Sequence, residues 1–299
     1  MDQVLPPRLS PGDAVALVAP ASWAEDDWID ETARRIADWG WRVRRGARVR
    51  DRLGYLAGSD ADRHDDLDAA IRDPEIRAIV CVTGGCGSFR LVRGLDLGAL
   101  RADPKPLVGF SDITALHRAW QAAGVVSLHG AVAGDHADTV RGLLLGAIPE
   151  PIHADPARYG VDLTTTGRAT GPLAGGNLEM LARGVGVLDV DLIGHVLLIE
   201  INRAAGLGMV DRALTQLIDS GSLEGIVGVA VGTLDGFEGY RDRGWDVRDV
   251  LRERLGTLRV PILAGLPLGH DPDPVTVPLG AMCELDADAG TLRCSAGLR

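Results

Sequence analysis

Through the first half of the chain, short apolar runs alternate with stretches of helical periodicity. The runs are AVALVAP (14–20), WRVRRGARV (41–49), IRAIVCVTGG (76–85), PLVGF (106–110) and VVSLHGAV (125–132). They read as strands buried on both faces, which is what a parallel sheet covered by helices requires. Between them, AEDDWIDETARRIADWG places Trp28, Ile29, Ala33, Ile36 and Trp39 near one helical stripe, with acids early and Gly40 as the stop. DADRHDDLDAAIRD turns Leu67, Ala70 and Ile71 inward, GSFRLVRGLD (87–96) reads as a short helix, and DITALHRAWQAAG as the next one. This succession predicts a doubly wound α/β domain, whose ligands gather at the carboxyl ends of the strands. The glycine turn Gly84-Gly85 and Ser111 both fall at such ends.

The pattern changes in PEPIHADPARYGVDLTTTGRATG, which is poor in large apolar residues and rich in turn formers. Beyond it, GHVLLIEI (194–201), GIVGVAVGTL (225–234), VPILAGLPLGH (260–270) and VTVPLGAMCEL (275–285) read as strands, with a helix in GMVDRALTQLIDSGSL. We therefore expect residues 1–150 to form the α/β domain, 151–170 a linker, and 171–299 a smaller β-rich domain.

Charge narrows the function. With 31 basic against 42 acidic residues the net charge is −11, so the basic footprint of a nucleic-acid partner is missing. The opening MDQVLPPRLSPGDAVALVAPAS has an acid where a signal peptide needs cations. Its apolar run at 15–19 is too short for a membrane span, so a cytoplasmic location and no membrane partner are expected. Cys81, Cys86, Cys283 and Cys294 show neither C-x-x-C pairing nor zinc-ligand spacing, so neither a metal site nor a disulfide framework is expected.

Ser111, in GFSDITAL, stands where a buried strand becomes a helix. Two readings compete: a helix cap, or a nucleophile elbow that exposes the hydroxyl on a tight turn. The full elbow G-x-S-x-G is not met, because Ile113 holds its last glycine position. A nucleophilic serine needs a base and the base an orienting acceptor. His270 closes an apolar run, whereas His64, His117 and His136 lie in polar helix or loop contexts; His129 is the next candidate. Glu200 interrupts HVLLIEI, and is either a paired buried carboxylate or the point where the strand reaches solvent. TGGCGSFR (83–90) fits neither G-x-G-x-x-G nor the Walker pattern. Its turn still suits backbone N–H groups aimed at a ligand or an oxyanion. LAGGNLEML (173–181) is a close-packed turn into a helix.

With these residues in view, the sequence resembles the serine peptidase family of LD-carboxypeptidases (muramoyltetrapeptide carboxypeptidases), which also holds the microcin C immunity peptidases. The motifs that carry the resemblance run nearly end to end: PGDAVALVAPAS, GYLAGSDADRHDDLDAAIRDPEIRAIVCVTGGCGSFRL, KPLVGFSDITALH, LHGAV, GPLAGGNLEML, LLIEIN, VDRALTQL and PILAGLPLGH. G-F-S-D-I-T with a later G-x-P-x-G-H is the most specific combination.

The resemblance implies a flavodoxin-like N-terminal domain, a β-rich C-terminal domain, a homodimer, and no metal or cofactor. It implies a Ser-Glu-His triad of Ser111, Glu200 and His270, with oxyanion donors at the backbone N–H groups of Gly85 and Asp112. Gly84, His129 and Asn177 are then expected as substrate contacts. The implied substrate is a small peptide, a murein tetrapeptide that loses its terminal D-alanine from an L-centre such as diaminopimelate or lysine. Alternatives are a microcin C immunity-like peptidase acting on a peptidyl or aminoacyl nucleotide, and a non-catalytic ligand-binding homologue. The chain departs from the family at Thr83, where R-G-G-Y-G-S usually begins, and at Glu200-Ile201-Asn202, where L-E-D is usual. Both departures bear on specificity more than on reaction type.

Overall fold

The computed structural model describes residues 3–132, 137–188, 190–202 and 206–299. The chain divides into two compact units. The first holds Met1–Ile148, Thr276–Gly280 and Ala296–Arg299, and the second Pro149–Val275 and Ala281–Ser295.

In the first unit, β1 (Ala14–Val18), β2 (Arg42–Arg45), β3 (Ile76–Cys81), β4 (Leu107–Gly109) and β5 (Ser127–His129) form one parallel sheet in the order β2-β1-β3-β4-β5. That order is the flavodoxin-like doubly wound arrangement, with its switch point between β1 and β3. A later stretch, Val277–Leu279, pairs antiparallel with β5 and closes that edge. Val15 and Leu17 of β1, Val80, Val108 and Leu128 share a core with Ile29, Ala33 and Ile36 of α1 (Asp26–Asp38) and Val140 and Leu143 of α5 (Ala137–Leu144). The residues between them, Ala16, Ile79 and Leu107, are equally buried, so both faces of the sheet are covered. On this unit also lie α2 (Asp60–Arg72), capped by Ser59, α3 (Leu97–Ala102) and α4 (Thr114–Ala122).

The second unit is a mixed seven-stranded sheet. It contains β6 (Ile152–His153), β7 (Arg168–Asn177), β8 (Val196–Asn202), β9 (Gly228–Asp235) and β10 (Ile262–Leu263). The chain then returns to the first unit as β11, the stretch Val277–Leu279, before β12 (Met282–Asp286) and β13 (Thr291–Cys294) complete the second sheet. The order is β10-β9-β8-β7-β12-β13-β6, with β7 to β10 parallel and the rest antiparallel. Its apolar core gathers Leu197 and Ile199 of β8, Val229 and Val231 of β9 and the inward faces of α6 (Leu178–Arg183), α7 (Leu207–Asp219) and α8 (Val247–Gly256).

Several elements differ from the sequence reading. The run at 41–49 keeps only β2, whose side chains are largely exposed arginines, and 125–132 forms a strand only over β5, with one isolated bridge from Val125 to Val4. The helix expected over 87–96 is two 3₁₀ turns, Ser88–Arg90 and Val92–Gly94. The apolar run 260–270 pairs only at β10, so His270 stands in a loop. The run 275–285 is broken at Gly280, φ 95°, into strands of different sheets. Trp28 is 46% exposed, with its indole N–H donated to the Val82 carbonyl at 3.1 Å. Residues 151–170 are integral to the second unit, where they supply β6, the start of β7 and the buried Leu163. The segments of the first unit after residue 275 likewise have no place in a division at 150. Among the described residues, no helix is long and apolar enough to cross a membrane.

Candidate active site

The first group of interest lies at the carboxyl ends of β1, β3 and β4. After β4 the backbone passes through extended Phe110 into Ser111, which has φ 62° and opens a 3₁₀ turn, Ser111–Ile113, leading into α4. A left-handed conformation is costly for a residue with a Cβ, so the fold holds Ser111 in a conformation that serine does not choose. Neither the 3₁₀ turn nor α4 has a side-chain cap, so the capping role for Ser111 is not realised. Its Oγ bonds no described residue of its own unit.

Glycines make this corner possible. A Cβ on Gly109 would meet Ile113 Cγ2 at 2.7 Å, and one on Gly84 would meet Ser111 Cβ at 2.9 Å. Gly84 and Gly85 therefore lie against the serine turn. Their loop is pinned at each end: the Ser22 N–H donates to the Gly84 carbonyl (3.1 Å) and the Cys86 N–H to Ser22 Oγ (3.1 Å). Further along, Ser88 donates its N–H to the buried Asp112 carboxylate (2.8 Å) and its hydroxyl to the Asp112 carbonyl (2.6 Å). Buried Arg63 donates to the carbonyls of Pro20 and Gly87 and pairs with Asp60. No acceptor among the described residues of this unit takes the backbone N–H of Gly85 or Asp112. The N–H groups of Gly85, at φ 98°, and of Asp112, after the strained serine, are donors of the kind that an anionic oxygen can accept from.

Two histidines lie close to this corner, both buried. His117, expected in a polar context, is on the inner side of α4. Its Nε2–H donates to the Gly109 carbonyl and its Nδ1 accepts from Ser127 Oγ, each at 2.8 Å. The carbonyl can only accept, which fixes this neutral tautomer. Burial pushes its pKa down to about 4, against a smaller opposing effect of the Gly109 carbonyl. His129, expected as a substrate contact, has no exposed surface and packs against Phe110 and His117. His136 lies outside the described residues.

The second group lies in the other unit. Glu200, near the end of β8, is fully buried, which settles it as a paired carboxylate rather than a solvated strand end. Its Oε2 accepts from His270 Nδ1 at 2.6 Å and from the His270 backbone N–H at 3.3 Å. Gly269, φ 92°, allows this approach, since a Cβ there would meet Glu200 Cγ at 2.4 Å. Burial alone would lower the His270 pKa, but the hydrogen bond and charge of Glu200, helped by Asp235, together raise it. With Nδ1 donating, Nε2 carries the basic lone pair.

Glu200 Oε1 accepts from Asn177 Nδ2 (3.0 Å), its partner in the parallel β7–β8 register. Asn177 also donates to Asn202 Oδ1 (3.1 Å) and caps α6. β7 and β8 come close because Gly175 has no side chain: a Cβ there would lie 2.0 Å from the Leu198 carbonyl oxygen. The AGGN segment read as a turn is thus the end of a strand. The loop after His270 has an anchor that the sequence reading missed. Asp271, whose burial would raise its carboxyl pKa but which Arg158, the Asp273 N–H and the Thr233 hydroxyl together draw down, accepts from Arg158, Thr233 Oγ1 (2.9 Å) and the Asp273 N–H (3.0 Å). Among the described residues, no group of three or more His, Cys, Asp or Glu side chains is placed to hold a metal ion.

Residues 15–130 match the model of the LD-carboxypeptidase N-terminal domain, and residues 170–285 that of the LD-carboxypeptidase C-terminal domain. A putative carboxypeptidase of Streptomyces coelicolor is 38% identical over 97% of this chain and 95% of its own length. A probable murein peptide carboxypeptidase of Bacillus subtilis is 31% identical over 98% of this chain and 95% of its own. Among solved structures, the muramoyltetrapeptide carboxypeptidase of Oxalobacter formigenes superposes with a TM-score of 0.81, at 25% identity, covering 94% of this chain and 97% of that one.

Proposed function

Because the chain belongs to the LD-carboxypeptidase family, a family of serine peptidases, we propose that Ser111 is its nucleophile, His270 the base and Glu200 the acid that orients the base. The observation that carries this reading is the 2.6 Å hydrogen bond from His270 Nδ1 to a fully buried Glu200. A buried carboxylate is retained at such cost only where a partner needs it.

His270 Nε2 takes the proton from Ser111 Oγ as that oxygen attacks the amide carbonyl. The negative oxygen of the tetrahedral intermediate accepts from the N–H groups of Gly85 and Asp112, and each such donor contributes about 3 kcal/mol of barrier lowering. His270 then gives the proton to the departing amine, the C–N bond breaks, and an ester to Ser111 remains. Water, deprotonated by the same imidazole, hydrolyses that ester and restores the hydroxyl.

The substrate is a murein tetrapeptide, cleaved between an L-centre such as diaminopimelate or lysine and the terminal D-alanine. Support comes from relatives whose names specify murein peptides. The test is mass spectrometry of a murein tetrapeptide incubated with the protein and with Ser111→Ala. The expected result is release of D-alanine by the first and none by the second, with unchanged folding. Release by the variant refutes the nucleophile. No release by either, with cleavage of an aminoacyl nucleotide instead, moves the substrate to the immunity-type class and leaves the nucleophile in place.

A further inference from the structure

We propose that Asn177 is a positioning residue for the acid–base pair, its amide fixing Glu200 and through it His270, rather than a contact for substrate. This rests on the roles given above to Glu200 and His270. Glu200 has no exposed surface, so each carboxylate oxygen needs a donor from the protein. Oε2 is turned to His270. Oε1 is met by Asn177 Nδ2 at 3.0 Å, directly across the β7–β8 register. The second amide hydrogen goes to Asn202 Oδ1 (3.1 Å), and the amide oxygen accepts the Met180 N–H (3.3 Å) at the start of α6.

Both ends of the amide are thereby committed, and a flipped amide would set oxygen against carboxylate while losing the helix N–H. The network admits one orientation. Asn177 is 4% exposed, which leaves it little to offer a ligand. The adjacent residues point the same way. Asn202 takes the amide from one side while Gly175 lets β7 close on β8, so the Asn177 side chain is placed by two strands and a helix end at once.

Among the described residues, the titratable and charged groups around the pair are His270 itself, Asp235 at the end of β9, and Asp271, in the loop that follows the base, with its partner Arg158. The reactive form has Glu200 charged and His270 neutral. Removing the Asn177 donor leaves the carboxylate charge less shared and its pull on the His270 proton stronger, so the imidazole stays protonated to higher pH. The acid limb of the rate profile then moves to higher pH.

The experiment compares wild type with Asn177→Ser, which keeps an oxygen to cap α6 but cannot also span to Glu200. The expected result is a kcat about ten- to a hundredfold lower on the murein tetrapeptide, a KM little changed, and an acid limb higher by about one pH unit. An unaltered kcat and pH profile would mean that Asn177 only caps the helix. A raised KM with unaltered kcat would mean that it touches substrate. Either result overturns the proposal. Should the serine variant not fold, Asn177→Asp, an equally strong cap without an amide hydrogen, replaces it, and an unaltered kcat again refutes the role. Ser111→Ala, assayed beside them, separates the two levels. If that variant still turns over, the triad itself is wrong; if it is dead while the Asn177 variants behave as wild type, only this inference falls.

Discussion

His117 shows how much one side chain can contribute to a corner it never enters. Its Nε2–H and the N–H of Gly130 converge on the Gly109 carbonyl, two residues before Ser111, so the end of β4 is held from α4 and from beyond β5 at once. Burial keeps the ring neutral with a pKa near 4, whereas in the unfolded chain it titrates near 6.5. As pH falls, the unfolded state binds the proton first. The stability from His117 is therefore complete above about pH 6.5 and is lost progressively as pH falls toward about 4, a loss of about 3 kcal/mol. Urea unfolding across that interval is expected to show this decline. His117→Gln should be less stable at neutral pH and flatter below it. A variant as steep as wild type would assign the acid sensitivity to another group.

At the scale of elements, the serine corner is a packing problem between the Gly84-Gly85 turn and the start of the 3₁₀ turn. A Cβ on Gly84 would lie 2.9 Å from Ser111 Cβ, 3.1 Å from the Phe110 carbonyl oxygen and 3.3 Å from the Asp112 nitrogen. Two of these are backbone atoms with no freedom to swing away. Gly84→Ala must therefore displace either the serine or the Asp112 N–H that the proposed mechanism uses, and a shift of about 1 Å costs about a hundredfold in rate. Steady-state kinetics should show that loss in kcat with the melting temperature nearly kept; full activity would mean that the two turns do not need their present contact.

The same elements set what the sequence could disclose. β1 and β3 are legible because a strand buried on both faces reads as an unbroken apolar run, and α2 because its buried residues follow the helical period. The GFSD turn and the interrupting Glu200 stood out as candidates because each breaks its local pattern. The strand expected to run to His270 does not form beyond β10, and the run misled because Leu266 and Leu268 are buried without being paired in a ladder. The buried state of His117 and His129 was hidden because a polar side chain on a helix or strand says nothing about its neighbours. Asn177 was marked as a substrate contact, since the β7–β8 register that hands its amide to Glu200 joins residues far apart in the chain. Asp271 gave no signal in the sequence for the same reason: Arg158 and Thr233 are remote from it along the chain.

For the molecule as a whole, the consequential feature is that the chain ends in the unit where it began. Leu298 is 3% exposed and belongs to the same core as Leu9, Val15 and Leu128. The flanking backbone is paired on both sides: the Arg8 N–H donates to the Arg299 carbonyl (2.8 Å), and the Arg299 N–H to the Pro6 carbonyl (3.0 Å). Gly297 completes the seat, because a Cβ there would meet Pro278 of the returning segment at 2.7 Å. The last residues thus finish the hydrophobic layer beneath the sheet that carries Ser111. Leu298→Ala removes a side chain from a closed core and should cost about 2–4 kcal/mol. Hydrogen exchange distinguishes where the cost falls. Peptides from β1, β4 and β5 are expected to lose protection well before peptides from β8 and β9, because the truncated side chain lines only the first core. Unchanged protection in β1 and β5 would mean that the closing segment lies on the surface and that the first unit is complete without it.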